Sequence, residues 1–235
     1  MGRDIAAKCG RLAQIAYEVR LAMSKSVRGD EELLIVRSQR GEVDAFNQLV
    51  LRYQQTVYGA VFRLLGDYDV ASDVTQNTFI AAYRSIQSYR GSSSFRSWLL
   101  RIGSNMACDH WRSMHRHPVE SLEELTEEDG ASNPSLLSIL ATKEVESNPE
   151  AMLLSQEFQG MIQQGLQQLP LDQRVAVVLC DIQGLSYEEI AATTQATLGT
   201  VRSRIARGRG RLRNYLRQHQ ELLPHKYRLN TDSSL

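Results

Sequence analysis

The stretch SYEEIAATTQATLGTVRSRIARGRGRLRNYL, Ser186 to Leu216, opens on two glutamates and closes with an arginine at almost every second position. Ser186 and Glu189 have the spacing of a capping box, in which each side chain accepts the other residue's backbone N–H. A helix is therefore predicted from Tyr187, with Glu188 and Glu189 at the positive end of its dipole. Ile190 and Ala191 face inward. A turn near Gln195 and Ala196 leads to a second helix, starting at Thr197 or Gly199, whose apolar residues Val201, Ile205, Leu212 and Leu216 keep one face inward. The other face carries Arg202, Ser203, Arg207, Arg209 and Arg213. A short helix, a turn and a second helix with a basic side form a helix-turn-helix, whose second helix enters the major groove of DNA.

The charge pattern agrees with that reading once it is taken block by block. The chain has 235 residues, with 27 Lys and Arg against 27 Asp and Glu, 42% apolar residues and 7% aromatic ones. From Arg84 to His117, six arginines face Asp109 alone; from Pro118 to Glu157, Lys143 faces ten carboxylates; from Gly199 to Arg228, nine basic residues face Glu221. Neutrality is thus a sum over basic, acidic and basic blocks, and basic blocks of this kind fit phosphate backbones.

Working outward, helical periodicity runs through Ala45, Phe46, Leu49, Val50, Tyr53, Val57, Val61, Phe62 and Leu65 and breaks at Gly66-Asp67. A second stripe follows in Val70, Val74, Phe79, Ala82, Tyr83 and Ile86. The loop Arg90–Ser94 separates it from a third, containing Phe95, Trp98, Leu99, Ile102, Met106 and Trp111. The expected fold is all-α, with two small helical domains joined by an acidic flexible linker and a helix-turn-helix in the C-terminal domain. The expected divisions are an N-terminal extension 1–28, a first domain 29–117, an acidic linker 118–157, a second domain 158–219 and a C-terminal tail 220–235. Residues 1–28 read as a short amphipathic helix, as an unstructured extension or as a start set too far upstream. The last is favoured because SKSVRGDEELL after Met23 looks like a natural beginning.

Residues 169–216 resemble the C-terminal promoter-binding domain of the bacterial sigma factors of the extracytoplasmic-function group. The motifs LP-x-x-x-R, G-x-S-Y-x-E-I-A and G-T-V-x-S-R carry the resemblance. The sequence departs from that pattern at Thr193, Thr194, Gln195 and Ala196, where the family usually has aliphatic residues and a turn glycine. Residues 30–113, above all DYDVASDVTQNTFIAAYRSIQSYRGSSSFRSWLLRIGSNMACDHWR from Asp67 to Arg112, resemble the family's polymerase-binding and promoter-melting domain. The resemblance implies a sigma factor that binds core RNA polymerase, through the β′ coiled coil and the β flap, and recognises the minus-thirty-five and minus-ten promoter elements. It also implies an anti-sigma partner.

Site residues are expected on that basis. Thr200, Arg202, Ser203, Arg207 and Arg209 would contact the upstream element. Ser93, Arg101, Asn105 and Arg112 would contact the minus-ten element, with Phe95, whose spacing also fits the apolar core stripe, kept as an edge of the pocket, because a flipped base needs small polar groups, aromatic surface and cations. Arg101 and Asn105, four residues apart, share one helical face. Arg96 lies in the same loop region, and Trp98 is assigned to packing. Asp73, Gln76, Asn77 and Phe79 would contact polymerase, with Thr78 in the same polar patch.

Cys108, His110, His115 and His117 are poorly spaced for a metal, so no metal, cofactor or catalytic residue is expected. Cys9, Cys108 and Cys180 form no C-x-x-C pair, which fits a reducing cytoplasm. No apolar run reaches a membrane span. Two rivals stay open: a helix-turn-helix regulator that never joins polymerase, and a recombinase or nuclease that uses the helix pair for targeting.

Overall fold

The computed structural model describes residues 29–116 and 149–219. Among the described residues there is no strand, so the fold is all-α as expected. Residues 29–39 are helical (α1). They are followed by α2 (Val43–Leu65), α3 (Tyr68–Ser85), a 3-10 turn (Ile86–Ser88), α4 (Phe95–Arg116), α5 (Pro149–Gln167), α6 (Leu171–Val177), a π turn (Val178–Ile182), α7 (Tyr187–Thr194) and α8 (Leu198–Gln218). None of the described helices is long and apolar enough to cross a membrane.

The breaks follow local chemistry. Gly66, at φ 84°, ends α2 in a left-handed conformation that suits glycine. Asp67 then caps α3 by accepting the Val70 N–H at 2.9 Å. Thr75 and Thr78 are buried on α3, and each hydroxyl donates to the carbonyl four residues back at 2.7 Å. Two polar residues therefore sit in the core at no loss of hydrogen bonding.

Among the described residues, compactness groups 29–52 with 83–88, and 53–82 with 89–116 and 149–219. In the first unit, Leu34, Ile35, Phe46, Leu49 and Ile86 are buried, Phe46 and Tyr83 lie with ring centroids 5.0 Å apart, and Gln39 donates to the Ile86 carbonyl at 3.1 Å. The division cuts α2 and α3 instead of falling at the acidic stretch.

Its physical reason lies within the second unit, at the end of α2. The last carbonyls of a helix have no partner in their own helix. Here the Phe62 carbonyl accepts from Gln163 at 3.2 Å, that of Arg63 from Gln167 at 3.3 Å and that of Leu64 from Arg174 at 2.5 Å. Donors on α5 and α6 thus close the C-terminus of α2. The helix α5 begins at Pro149, so residues 149–157, expected as linker, are helical. The remainder of the expected linker, residues 1–28 and the tail 220–235 lie outside the described residues.

Arg174 is the centre of this closure. It is 3% exposed, and its guanidinium also donates to the side chain and carbonyl of Gln167 and to the Leu169 carbonyl. Burial lowers its pKa from the ordinary arginine value. Its two terminal nitrogens are met by helix-terminal carbonyls, the negative ends of two helices, whereas its buried Nε–H has no partner among the described residues.

Candidate nucleic-acid interface

The helix-turn-helix forms as its local chemistry dictates. Ser186 accepts the Glu189 N–H at 3.2 Å and the Glu189 carboxylate accepts the Ser186 N–H at 2.9 Å, so both halves of the capping box are made. Ile190 and Thr193 are buried beneath α7. The turn passes through Gln195 at φ 51° and ψ 40°, a left-handed conformation. Thr197 then caps α8, accepting the Thr200 N–H at 3.2 Å.

Gln195 occupies the turn position at which the sequence lacks glycine, and it is exposed. A left-handed residue with a Cβ costs roughly 1–2 kcal/mol, whereas glycine adds roughly 0.5–1 kcal/mol of unfolded-chain entropy. Gln195→Gly is therefore expected to stabilise the protein by about 0.5–1 kcal/mol. A denaturation midpoint that stays level or falls would contradict this.

On α8, Val201, Ile205 and Gly208 are buried, while Leu212 and Leu216 are half-buried. A Cβ at Gly208 would meet Val177 Cγ2 at 2.6 Å, so glycine lets α8 lie close against α6. Arg202, Arg207 and Arg213 are exposed, and Ser203 is half-buried with its hydroxyl donating to the Thr200 carbonyl at 2.9 Å. Thr200 is half-buried, its hydroxyl 3.0 Å from that of Thr197. Arg209 departs from expectation: it forms a two-pronged pair with Asp181, which raises its pKa through hydrogen bonding and charge. Its guanidinium is held by Asp181 while the side chain stays 46% exposed. Neither Asp181 nor Asp172, which binds Arg204 at 2.6 Å, was singled out in the sequence.

At the other candidate surface, Ser94 caps α4 by accepting the Ser97 N–H at 3.1 Å. The Tyr89 hydroxyl donates to the Ser93 carbonyl at 2.7 Å, fixing the loop from beneath. Phe95 is a correction: it is 1% exposed and packs against Tyr53, Tyr89 and Trp98 at centroid distances of 5.7, 5.5 and 5.4 Å. An aromatic ring so enclosed has no face left for a base. It anchors the loop, and Trp98 packs with it as assigned. Arg101, Asn105 and Arg112 are exposed on one side of α4, and Ser93 is half-buried. Arg112 is paired to Asp109 at 3.2 Å, an exposed pair of little energetic weight.

The start of α4 also meets the segment leading into α7. Arg96 donates to the Gln183 side chain at 2.8 Å, and the Ser97 hydroxyl donates to the Glu189 carboxylate at 2.5 Å. The Ser97 bond, the Ser186 N–H and the nearby Arg96 charge hold the Glu189 carboxyl below the usual glutamate range. A depressed folded-state pKa stabilises above the unfolded pKa, and the contribution is lost as pH falls through the folded value. Glu189→Gln keeps the capping box but not the charge. The stability difference between the wild type and this variant is therefore expected to shrink as pH falls from neutrality through the acid range. Denaturation midpoints measured along that series check it; a constant difference would contradict it.

On α3, Asp73, Gln76 and Asn77 are exposed, as a docking patch requires. Thr78 and Phe79 are corrections, at 0% and 7% exposure: the Thr78 hydroxyl is turned to the Val74 carbonyl and Phe79 belongs to the core. Burial raises the Cys108 thiol to about 11. His115 stacks on Trp111, with centroids 3.9 Å apart. No group of three His, Cys, Asp or Glu gathers as a metal site among the described residues, and His117 lies outside them.

Two family models match the chain: sigma-70 region 2 at residues 49–117 and sigma-70 region 4 at residues 159–212. The chain is 42% identical over 179 residues to the RNA polymerase sigma-H factor of Pseudomonas aeruginosa, covering 76% of this chain and 90% of that one. It is 41% identical over 184 residues to the ECF RNA polymerase sigma-E factor of Salmonella typhimurium, covering 78% and 93%. A solved structure of the sigma factor RpoE with the anti-sigma factor NepR, from Bartonella quintana, is similar in fold, with a TM-score of 0.52 at 24% identity over 73% of this chain and 96% of that one.

Proposed function

The chain belongs to the extracytoplasmic-function sigma factors of RNA polymerase, and on that premise we propose which of its surfaces do the work. As a member it binds core polymerase and promoter DNA and directs transcription initiation. In the proposed division of labour, α8 reads the minus-thirty-five element in the major groove through Arg202, Arg207 and the neighbouring Thr200 and Ser203. The loop before α4, with Ser93, Arg101, Asn105 and Arg112, takes the non-template strand of the minus-ten element. The exposed Asp73, Gln76 and Asn77 on α3 meet the β′ coiled coil, and the C-terminal domain meets the β flap. We place the boundaries of these functional parts at 29–117 and at α5–α8.

The observation that carries the reading is the position of Arg202 and Arg207. Both are exposed on α8, while Val201 and Ile205 of the same helix are buried at 0% and 1%. A capped short helix sets that face outward, and arginine is the side chain that most often reads guanine edges. The reading assigns no catalytic residue to the chain, since bond formation belongs to the polymerase. It places the protein in the cytoplasm, at the nucleoid, where polymerase meets its promoters. By analogy with the Bartonella protein, an anti-sigma factor is a proposed partner.

Co-purification with core polymerase tests the proposal. Retention of the wild type, and weaker retention when Asp73, Gln76 and Asn77 are replaced together by alanine, is expected. Full retention of the triple variant would remove the α3 assignment, and no retention of the wild type would favour a regulator that acts without polymerase.

A further inference from the structure

Seven arginines lie on α8 between Arg202 and Arg217, and the structure treats two of them differently. At about 3.6 residues per turn, Arg204 and Arg209 fall on opposite flanks of the buried line Val201, Ile205 and Gly208. Arg204 donates to Asp172, in the first turn of α6, at 2.6 Å. Arg209 grips both carboxylate oxygens of Asp181, in the π turn that continues α6. Two acids on the element beneath the helix therefore hold one arginine on each side. Arg202, Arg207 and Arg213 lie on the arc between those flanks, exposed and without an ion pair among the described residues.

We propose that Asp172 and Asp181 are specificity-determining residues: they withhold Arg204 and Arg209 from the DNA backbone and fix the rotation of α8 about its axis. The inference rests on the reading of α8 as the recognition helix. An arginine free on the flank of such a helix contacts phosphates, which gives affinity for any sequence and none for a particular one. Pairing it within the protein removes that contribution and leaves the base-facing arginines to decide where the protein binds. A two-pronged arginine–carboxylate pair also fixes geometry in a way that a single contact does not. With one clamp on each flank, α8 is held against rolling, and the same residues meet the same bases at every encounter.

The test uses the full chain and two duplexes, one with the minus-thirty-five element and one with that element scrambled. Affinity is measured between about 50 and about 200 mM salt, because each phosphate contact adds about 0.9 to the slope of log K against log salt. For Asp181→Asn, the slope on the scrambled duplex is expected to steepen by about one contact, and the ratio of specific to scrambled affinity to fall. Arg209→Gln alone should leave the slope unchanged. Asp181→Glu, which keeps the carboxylate, should stay close to wild type, and the double variant Asp181→Asn/Arg209→Gln should return to the wild-type slope.

An unchanged slope and ratio for Asp181→Asn would overturn the proposal. So would a steeper slope that persists in the double variant, because the effect would then be loss of the carboxylate's repulsion and not release of Arg209. Equal loss of affinity on both duplexes at constant slope would mark a merely structural pair, and would overturn it too. Arg202→Ala and Arg207→Ala, measured alongside, separate the premise from the inference. If neither weakens specific binding, the recognition-helix reading fails; if they do and Asp181→Asn behaves as wild type, only the clamp fails.

Discussion

Arg174→Ala is expected to destabilise the protein by about 3–5 kcal/mol, the usual cost of breaking a buried charged network by removing one partner. The substitution takes away the donor to the Leu64, Gln167 and Leu169 carbonyls and to the Gln167 side chain. The Leu64 and Leu169 carbonyls stay buried and the Gln167 acceptors half-buried, and each unmet buried acceptor costs about 1–3 kcal/mol before relaxation. The end of α2 then loses its cap, and a gap remains among α2, α5 and α6. Arg174→Lys should recover little, because a single ammonium cannot span carbonyls that the planar guanidinium reaches together. Chemical denaturation of both variants checks this. A loss below about 1 kcal/mol for alanine, within the range of an ordinary surface change, would show that the closure carries no weight.

The second large effect concerns promoter opening. Taking a base out of the stack costs a few kcal/mol, which polar contacts in the receiving pocket must offset. Ser93→Ala combined with Asn105→Ala removes two such contacts at about 1 kcal/mol each. The open-complex population is then expected to fall about tenfold to thirtyfold, given tenfold per 1.4 kcal/mol. Binding of core polymerase and of the upstream element should be retained, since Asn105 is exposed on α4, far in sequence from α8. A template with a preformed bubble should restore most of the activity. Permanganate reactivity of thymines reports the outcome, and wild-type reactivity on the duplex with the double variant would place melting elsewhere.

The sequence made the helices legible because their apolar spacing and breaks are local. The capping box at Ser186 and Glu189 is satisfied by residues three apart, and Gly66 ends α2 by its own backbone freedom. What sequence could not provide was pairing at long range. Arg209 looked like any other arginine of a basic helix, yet its partner Asp181 is 28 positions away. Arg174 belonged to a recognisable motif, but its bond to the Leu64 carbonyl spans 110 positions. One signal was there: an arginine directly before the apolar run Val175–Leu179 must be buried with partners or distort the stripe.

Aromatic and polar positions misled in the same way. Phe95 lies at the edge of a polar loop in sequence, whereas Tyr53 and Tyr89 converge on it in space. Thr78 has a polar side chain, but a hydroxyl can turn back to its own helix and be buried without loss. Residues 149–157, expected as linker, are helical, and composition does not reveal a helix that gains its stability further along.

The central claim is that this chain lets polymerase find a promoter through two separate readers, α8 and the loop before α4. Run-off transcription by core polymerase measures it directly, on a template whose upstream and minus-ten elements are scrambled one at a time. The account predicts a discrete transcript that requires the chain and is lost when either element is scrambled. A chain that binds the same duplex yet gives no transcript with core polymerase, or a transcript indifferent to both elements, would contradict it.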